Sequence, residues 1–178
     1  MTFSIPDDLA PEVYPLAWLV GTWRGEGVIA YPTVPEARFV QEVVFDHDGG
    51  PYLRYTSTLR LPAEAGDEHG ADLIWSTETG YWRVPPERPE DLPGDKTPLE
   101  VLLCDPSGRA SVYVGAVGNG RVDLVSDLIA RTATAAEVTA SKRLFGLVEG
   151  DLMWVWELAA FGQPLQSYAS AQLVRQDQ

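Results

Sequence analysis

Hydrophobic and polar residues alternate along most of this chain. From Thr22 to Tyr31 the odd positions are Trp23, Gly25, Gly27, Ile29 and Tyr31, and the even ones include Arg24 and Glu26. That two-residue period is the mark of a strand with one wet face. Leu152, Trp154, Trp156 and Leu158 repeat the pattern near the other end. Further strands are predicted over 38–45, 52–61, 72–84, 99–104, 111–117, 122–130, 137–148 and 165–174. Turn residues separate them, among them Asp48-Gly49-Gly50, Asp105-Pro106-Ser107-Gly108, Gly118-Asn119-Gly120 and Glu149-Gly150-Asp151.

Ten strands joined in order by short turns favour antiparallel neighbours. An open sheet of that size leaves two exposed edges, and closing it into an up-and-down barrel removes them. The expectation is therefore an all-β, closed ten-stranded antiparallel barrel in one domain, 1–178, with a β-sandwich as the alternative. Such a barrel has room for one small ligand. One helical segment is predicted, Asp7–Val20, with Pro11 near its start and Val13, Leu16, Ala17 and Val20 at helical spacing. Pro15 interrupts it, so one or two turns closing the barrel floor are expected, and 1–15 is read as an N-terminal segment. The stretch 83–98 carries five prolines. Prolines lack the N–H a ladder needs, so it reads as a surface loop, either solvated or a lid over the mouth.

Composition narrows the function. Thirteen Lys and Arg stand against 26 Asp and Glu, for a net charge of −13. Nucleic acid and anionic membrane surfaces are polyanions and are not expected partners. One cysteine allows no intrachain disulfide, and two histidines leave little material for a metal cluster or a triad. No long apolar run and no basic leader are present, so a cytoplasmic protein, monomer or homodimer, is expected.

The densest motif is Gly21-Thr22-Trp23-Arg24-Gly25-Glu26-Gly27. Glycine at alternate positions clears one face, either for a flat ligand against Trp23 or for a bend at a barrel corner. This segment resembles the GxWxGxG motif of the nitrobindins, and the likeness continues in order through Gln41–Phe45, Gly50–Thr56, Glu78–Arg83, Glu137–Ala140 and Gly162–Leu165. The resemblance implies a lipocalin-like ten-stranded barrel that holds haem b, binds nitric oxide and isomerises peroxynitrite. It also implies which residues meet the haem. The family's iron-ligating histidine, in a GQPLxxH pattern, corresponds to Tyr168; a second histidine corresponds to Ser76; a nearby lysine corresponds to Ala136.

The expected motif and pocket residues are thus Gly21, Thr22, Trp23, Gly25, Gly27, Ser76, Ala136 and Tyr168, with no catalytic or metal-binding residue assigned. Tyrosinate can bind haem iron, as in catalase, but only if its proton is removed. Alternation alone turns Tyr168 outward with Gln166, Ser170 and Gln172; the resemblance turns it inward, and polar groups are at home near a barrel mouth. The reading is a nitrobindin-like barrel without conventional haem ligation that takes a small apolar or amphipathic ligand, or none tightly. The alternatives are a haem protein using Tyr168 or water, and a fatty-acid carrier using Arg54, Arg60 and Tyr55.

Other groups read as structural. His47 lies in a hairpin turn and His69 in an acidic loop with Glu64, Asp67 and Glu68, both expected to be solvated. Glu90-Asp91 lacks a calcium-loop pattern. Ser107 and Ser126 have no histidine partner, and Cys104 is expected to be buried and inert. Trp75, Trp82, Trp154 and Trp156 are expected in the barrel wall, one or two of them lining a cavity.

Overall fold

The computed structural model describes residues 5–63 and 72–176. His69, Glu64, Asp67 and Glu68 lie outside the described residues. Ten strands form: β1 Gly21–Tyr31, β2 Val34–Asp46, β3 Leu53–Leu61, β4 Leu73–Arg83, β5 Thr97–Asp105, β6 Arg109–Gly118, β7 Arg121–Arg131, β8 Val138–Val148, β9 Asp151–Ala160 and β10 Gln166–Arg175. Each pairs antiparallel with its sequence neighbour, and β1 pairs with β10 to close the barrel. Every expected strand is present, and closure excludes the sandwich.

A 3₁₀ helix, Pro11–Leu19, plugs one end with Val13, Leu16, Ala17 and Leu19. Pro15 in its middle has no N–H to donate, which disfavours an α-helical ladder. The GxWxGxG segment is built into this closed end. The Trp23 indole is fully buried and donates to the Leu19 carbonyl at 2.8 Å. Arg175, at the end of β10, lies 4.1 Å over the Trp23 ring and donates to the Trp18 carbonyl at 2.6 Å and to that of Val20. The helix is thereby tied to the last strand.

The glycines serve close backbone approach. A Cβ on Gly25 would run into the Gln172 carbonyl oxygen of β10, and one on Gly27 into Phe39 and the Ser170 carbonyl. Gly25→Ala is therefore expected to cost at least the 1–3 kcal/mol typical of overpacking, because backbone must move; urea unfolding measures it.

The two ends differ in pairing. β4 pairs with β5 only over Thr79–Arg83, and β7 with β8 only over Arg121–Val125, so both ladders end before β4 and β8 reach the mouth. Beyond that point the β7–β8 gap is bridged by side chains, with Ser141 N–H donating to Ser126 Oγ at 3.0 Å.

Two expectations are corrected, and one alternative falls away: the 83–98 stretch joins β4 to β5 at the closed end, opposite the mouth, so this surface loop is no lid. Arg88 holds that loop together, donating to the carbonyls of Leu92, Pro93 and Lys96 at 2.5–3.0 Å. His47 is not solvated: its side chain is 11% exposed beside Asp8, with Nδ1 buried and unpartnered, because the N-terminal segment folds back over the β2–β3 turn. Cys104 is exposed, since Leu103 takes the inward position. Among the described residues no helix is long and apolar enough to cross a membrane.

Candidate functional site

The mouth is where side chains depart from simple alternation. In β10 the register steps from Ser167 opposite Glu157 to Ala169 opposite Trp156, which makes Tyr168 the extra residue of a β-bulge. In β4 it steps from Ser76 opposite Leu59 to Ile74 opposite Arg60, and Trp75 is the extra residue. A bulge re-aims one side chain without disturbing the facing of the rest of the strand. Here both bulged residues turn over the mouth. Their strands are separated by β1, β2 and β3, yet Trp75 Nε1 donates to the Tyr168 hydroxyl at 2.8 Å.

Beneath this strut is a cavity of about 270 Å³, walled by Trp75, Ser76, Asp105, Arg109, Trp156 and Tyr168 among others. The Tyr168 ring packs edge-on against Trp156 at 5.0 Å and Tyr31 at 5.8 Å. Tyr31 anchors that corner by donating to the Leu158 carbonyl and accepting from the Ala160 N–H at 3.0 Å. Asp105 is engaged at both oxygens: Oδ1 accepts from Ser107, and Oδ2 from Arg109 Nε at 3.1 Å.

Below Trp156 the interior is polar and nearly filled. Arg143 donates to both oxygens of Glu78, at 2.5 and 2.9 Å, and both residues are buried. Tyr55 donates to Glu78 at 2.9 Å. Tyr113 and Ser141 share a 2.8 Å hydrogen bond, and Arg143 stacks 4.0 Å over Trp156. The two voids beside this network measure about 30 and about 10 Å³, enough for a water or two. Gln41 links Trp154 and Ser57, so Trp154 is core wall. Trp82 is core as well, fully buried.

The expected site residues fall in different places. Ser76 and Tyr168 meet at the mouth cavity. Ala136 is exposed and lines an adjoining open groove with Gln163 and Pro164. Gly21, Thr22 and Trp23 sit around the plugged end, and Gly25 and Gly27 lie between it and the mouth against β10. Arg54 and Arg60 face outward while Tyr55 faces in, so the three make no carboxylate clamp.

Residues 12–175 match the family described as the THAP4-like, heme-binding beta-barrel domain. The chain belongs to this haem-binding barrel family. It is 48% identical to a ferric nitrobindin-like protein of Beutenbergia cavernae, over 98% of this chain and 99% of that one. It is 46% identical to a peroxynitrite isomerase of Parafrankia sp., over 94% and 81%. The crystal structure of Rv2717c from M. tuberculosis superposes with a TM-score of 0.77 at 35% identity, covering 95% of this chain and 99% of the other.

In this family member the mouth holds a tyrosine that resists ionisation. Burial raises the Tyr168 pKa above the ordinary tyrosine value, while the Trp75 hydrogen bond and the Arg109 charge pull back against it. A difference titration of the wild type against Tyr168→Phe is expected to show the phenolate absorbance step above about pH 10. A step below pH 9 contradicts this balance. The raised pKa also means that this group's stabilisation is complete below the unfolded pKa and lost as pH rises through the folded one. Sequence reading missed Trp75 as the partner of Tyr168, and missed Arg109, Glu78 and Arg143. Glu78 and Arg143 share inward parity with Trp82 and Phe145, which was the available signal.

Proposed function

We propose that this family member binds a small ligand in its mouth cavity and does not take haem through the conventional histidine. The observation that carries the reading is the Trp75–Tyr168 strut across a cavity of about 270 Å³. A volume of that order suits a small ligand. The donor set does not favour ferric haem. Iron needs Tyr168 as phenolate, whereas burial raises the Tyr168 pKa and favours the phenol, outweighing the Trp75 hydrogen bond and the Arg109 charge that pull the other way. Ser76 and Ala136 stand at the other two positions where the resemblance expects haem-facing histidine and lysine. The acidic net charge of −13 agrees with a cytoplasmic protein that engages no nucleic acid or membrane.

Titration with hemin is expected to give no sharp stoichiometric Soret band. A shifted band with a Kd below about 1 μM overturns the reading. The competing reading places ferric haem on Tyr168 or water, acting on nitric oxide or peroxynitrite, with Arg109 assisting the phenolate. It requires such a band, and a spectrum that changes in Tyr168→Phe. A band lost in His69→Ala instead assigns the iron to that residue and removes both readings. The fatty-acid carrier has little support: Arg143 and Tyr55 do converge on a carboxylate, but that carboxylate is Glu78.

A further inference from the structure

The mouth cavity has an uneven supply of hydrogen-bonding groups. Both Asp105 oxygens are engaged, by Ser107 and by Arg109 Nε. The Tyr168 oxygen accepts from Trp75, but among the described residues its own proton finds no acceptor. The Arg109 Nη groups likewise have no hydrogen-bond partner there, although the side chain is only 23% exposed. Arg109 and Tyr168 line the same cavity, so donors without a partner among the described residues border a space whose nearby carboxylate is engaged at both oxygens. A guanidinium and a hydroxyl donor on one cavity suit a carboxylate, which can accept from both.

The walls define the rest of the ligand. Trp156 and Tyr168 meet edge to face at 83° with centroids 5.0 Å apart, and both line the cavity as an aromatic wall. A flat ring gains an aromatic contact against such a wall, where offset-stacked and edge-on arrangements are both favourable. A straight alkyl chain gains no such aromatic contact, and it cannot extend inward, because the voids beside the interior network are about 30 and 10 Å³.

We propose that the mouth cavity binds a one-ring aromatic carboxylate, with Arg109 and Tyr168 on the carboxylate and Trp156 against the ring. This rests on the small-ligand reading above and names its chemistry. The protein's net charge of −13 opposes an anion at long range. At 0.15 M salt that field is screened within about 8 Å, so the local donors decide.

Benzoate is the probe, followed by calorimetry and by tryptophan fluorescence, with benzyl alcohol and hexanoate as comparisons. Benzoate is expected to bind saturably, at least tenfold tighter than either comparison. Arg109→Gln is expected to weaken benzoate at least tenfold, and Tyr168→Phe severalfold. Should Arg109→Gln fold poorly, Arg109→Lys keeps the charge, loses the planar fork and is expected to weaken benzoate as well. No saturable benzoate binding overturns the proposal, as does benzoate binding unchanged in Arg109→Gln or, where that variant folds poorly, in Arg109→Lys. Benzyl alcohol binding without benzoate overturns the carboxylate and leaves the small-ligand reading intact. A hemin Soret band removes that reading independently.

Discussion

Arg143→Met is expected to lose about 3–5 kcal/mol of folding stability, the cost of leaving a buried charge without its partner. Glu78 and Arg143 lie inside the barrel with side chains 9% and 7% exposed, joined by two hydrogen bonds. Deleting the guanidinium leaves the Glu78 carboxylate with the Tyr55 hydroxyl and no cation. It also removes the stack on Trp156 and the Nε donation to Tyr113 at 3.3 Å. Burial works against the Arg143 charge, and Glu78 together with Tyr113 and Tyr55 more than offsets it, so the Arg143 pKa stays above its ordinary value. The decisive comparison is Glu78→Gln/Arg143→Met. The amide still accepts from Tyr55, no charge is buried, and most of the loss is expected to return. Equilibrium urea unfolding of both variants reads this. A single-variant loss under 1 kcal/mol, or a double variant no better than the single, contradicts the account.

Trp23→Ala is expected to cost a similar 3–5 kcal/mol, or roughly 6–20 °C in Tm for a chain of this length. The indole is fully buried at the plugged end, where it holds Leu19 by a hydrogen bond and carries Arg175 on its face. Removing it opens a large void and loosens the helix from β10. The mouth lies at the other end of the barrel, so probe binding there is expected to be unchanged in the variant at temperatures where it is folded. Differential scanning calorimetry and a benzoate titration make the pair of measurements. Lost stability with binding intact assigns the GxWxGxG segment to the fold. Lost binding in a folded variant assigns it to the ligand.

The contrast between these residues shows where sequence reading stops. Trp23 sits in regular alternation, and its inward facing was legible from its neighbours. Tyr168 also sits in apparent alternation, which turned it outward with Ser170 and Gln172. The bulge at Tyr168 adds one residue and so breaks the parity on which that argument depends. Trp75 escaped for the same reason. No local residue type announces either bulge. Their common feature is spatial: both lie at the mouth, and each satisfies the other across it.

The chain by itself determined the ten strands, their order and the barrel, because period-2 patterning and turn residues are local properties. Only the tertiary structure decided that the proline-rich loop lies at the closed end, that Glu78 and Arg143 find each other 65 residues apart, and that Tyr168 faces a small cavity beside Arg109. Those facts depend on which strand ends share a rim and where a ladder gains a residue. Both are set by closing the sheet, and neither is written in any one segment.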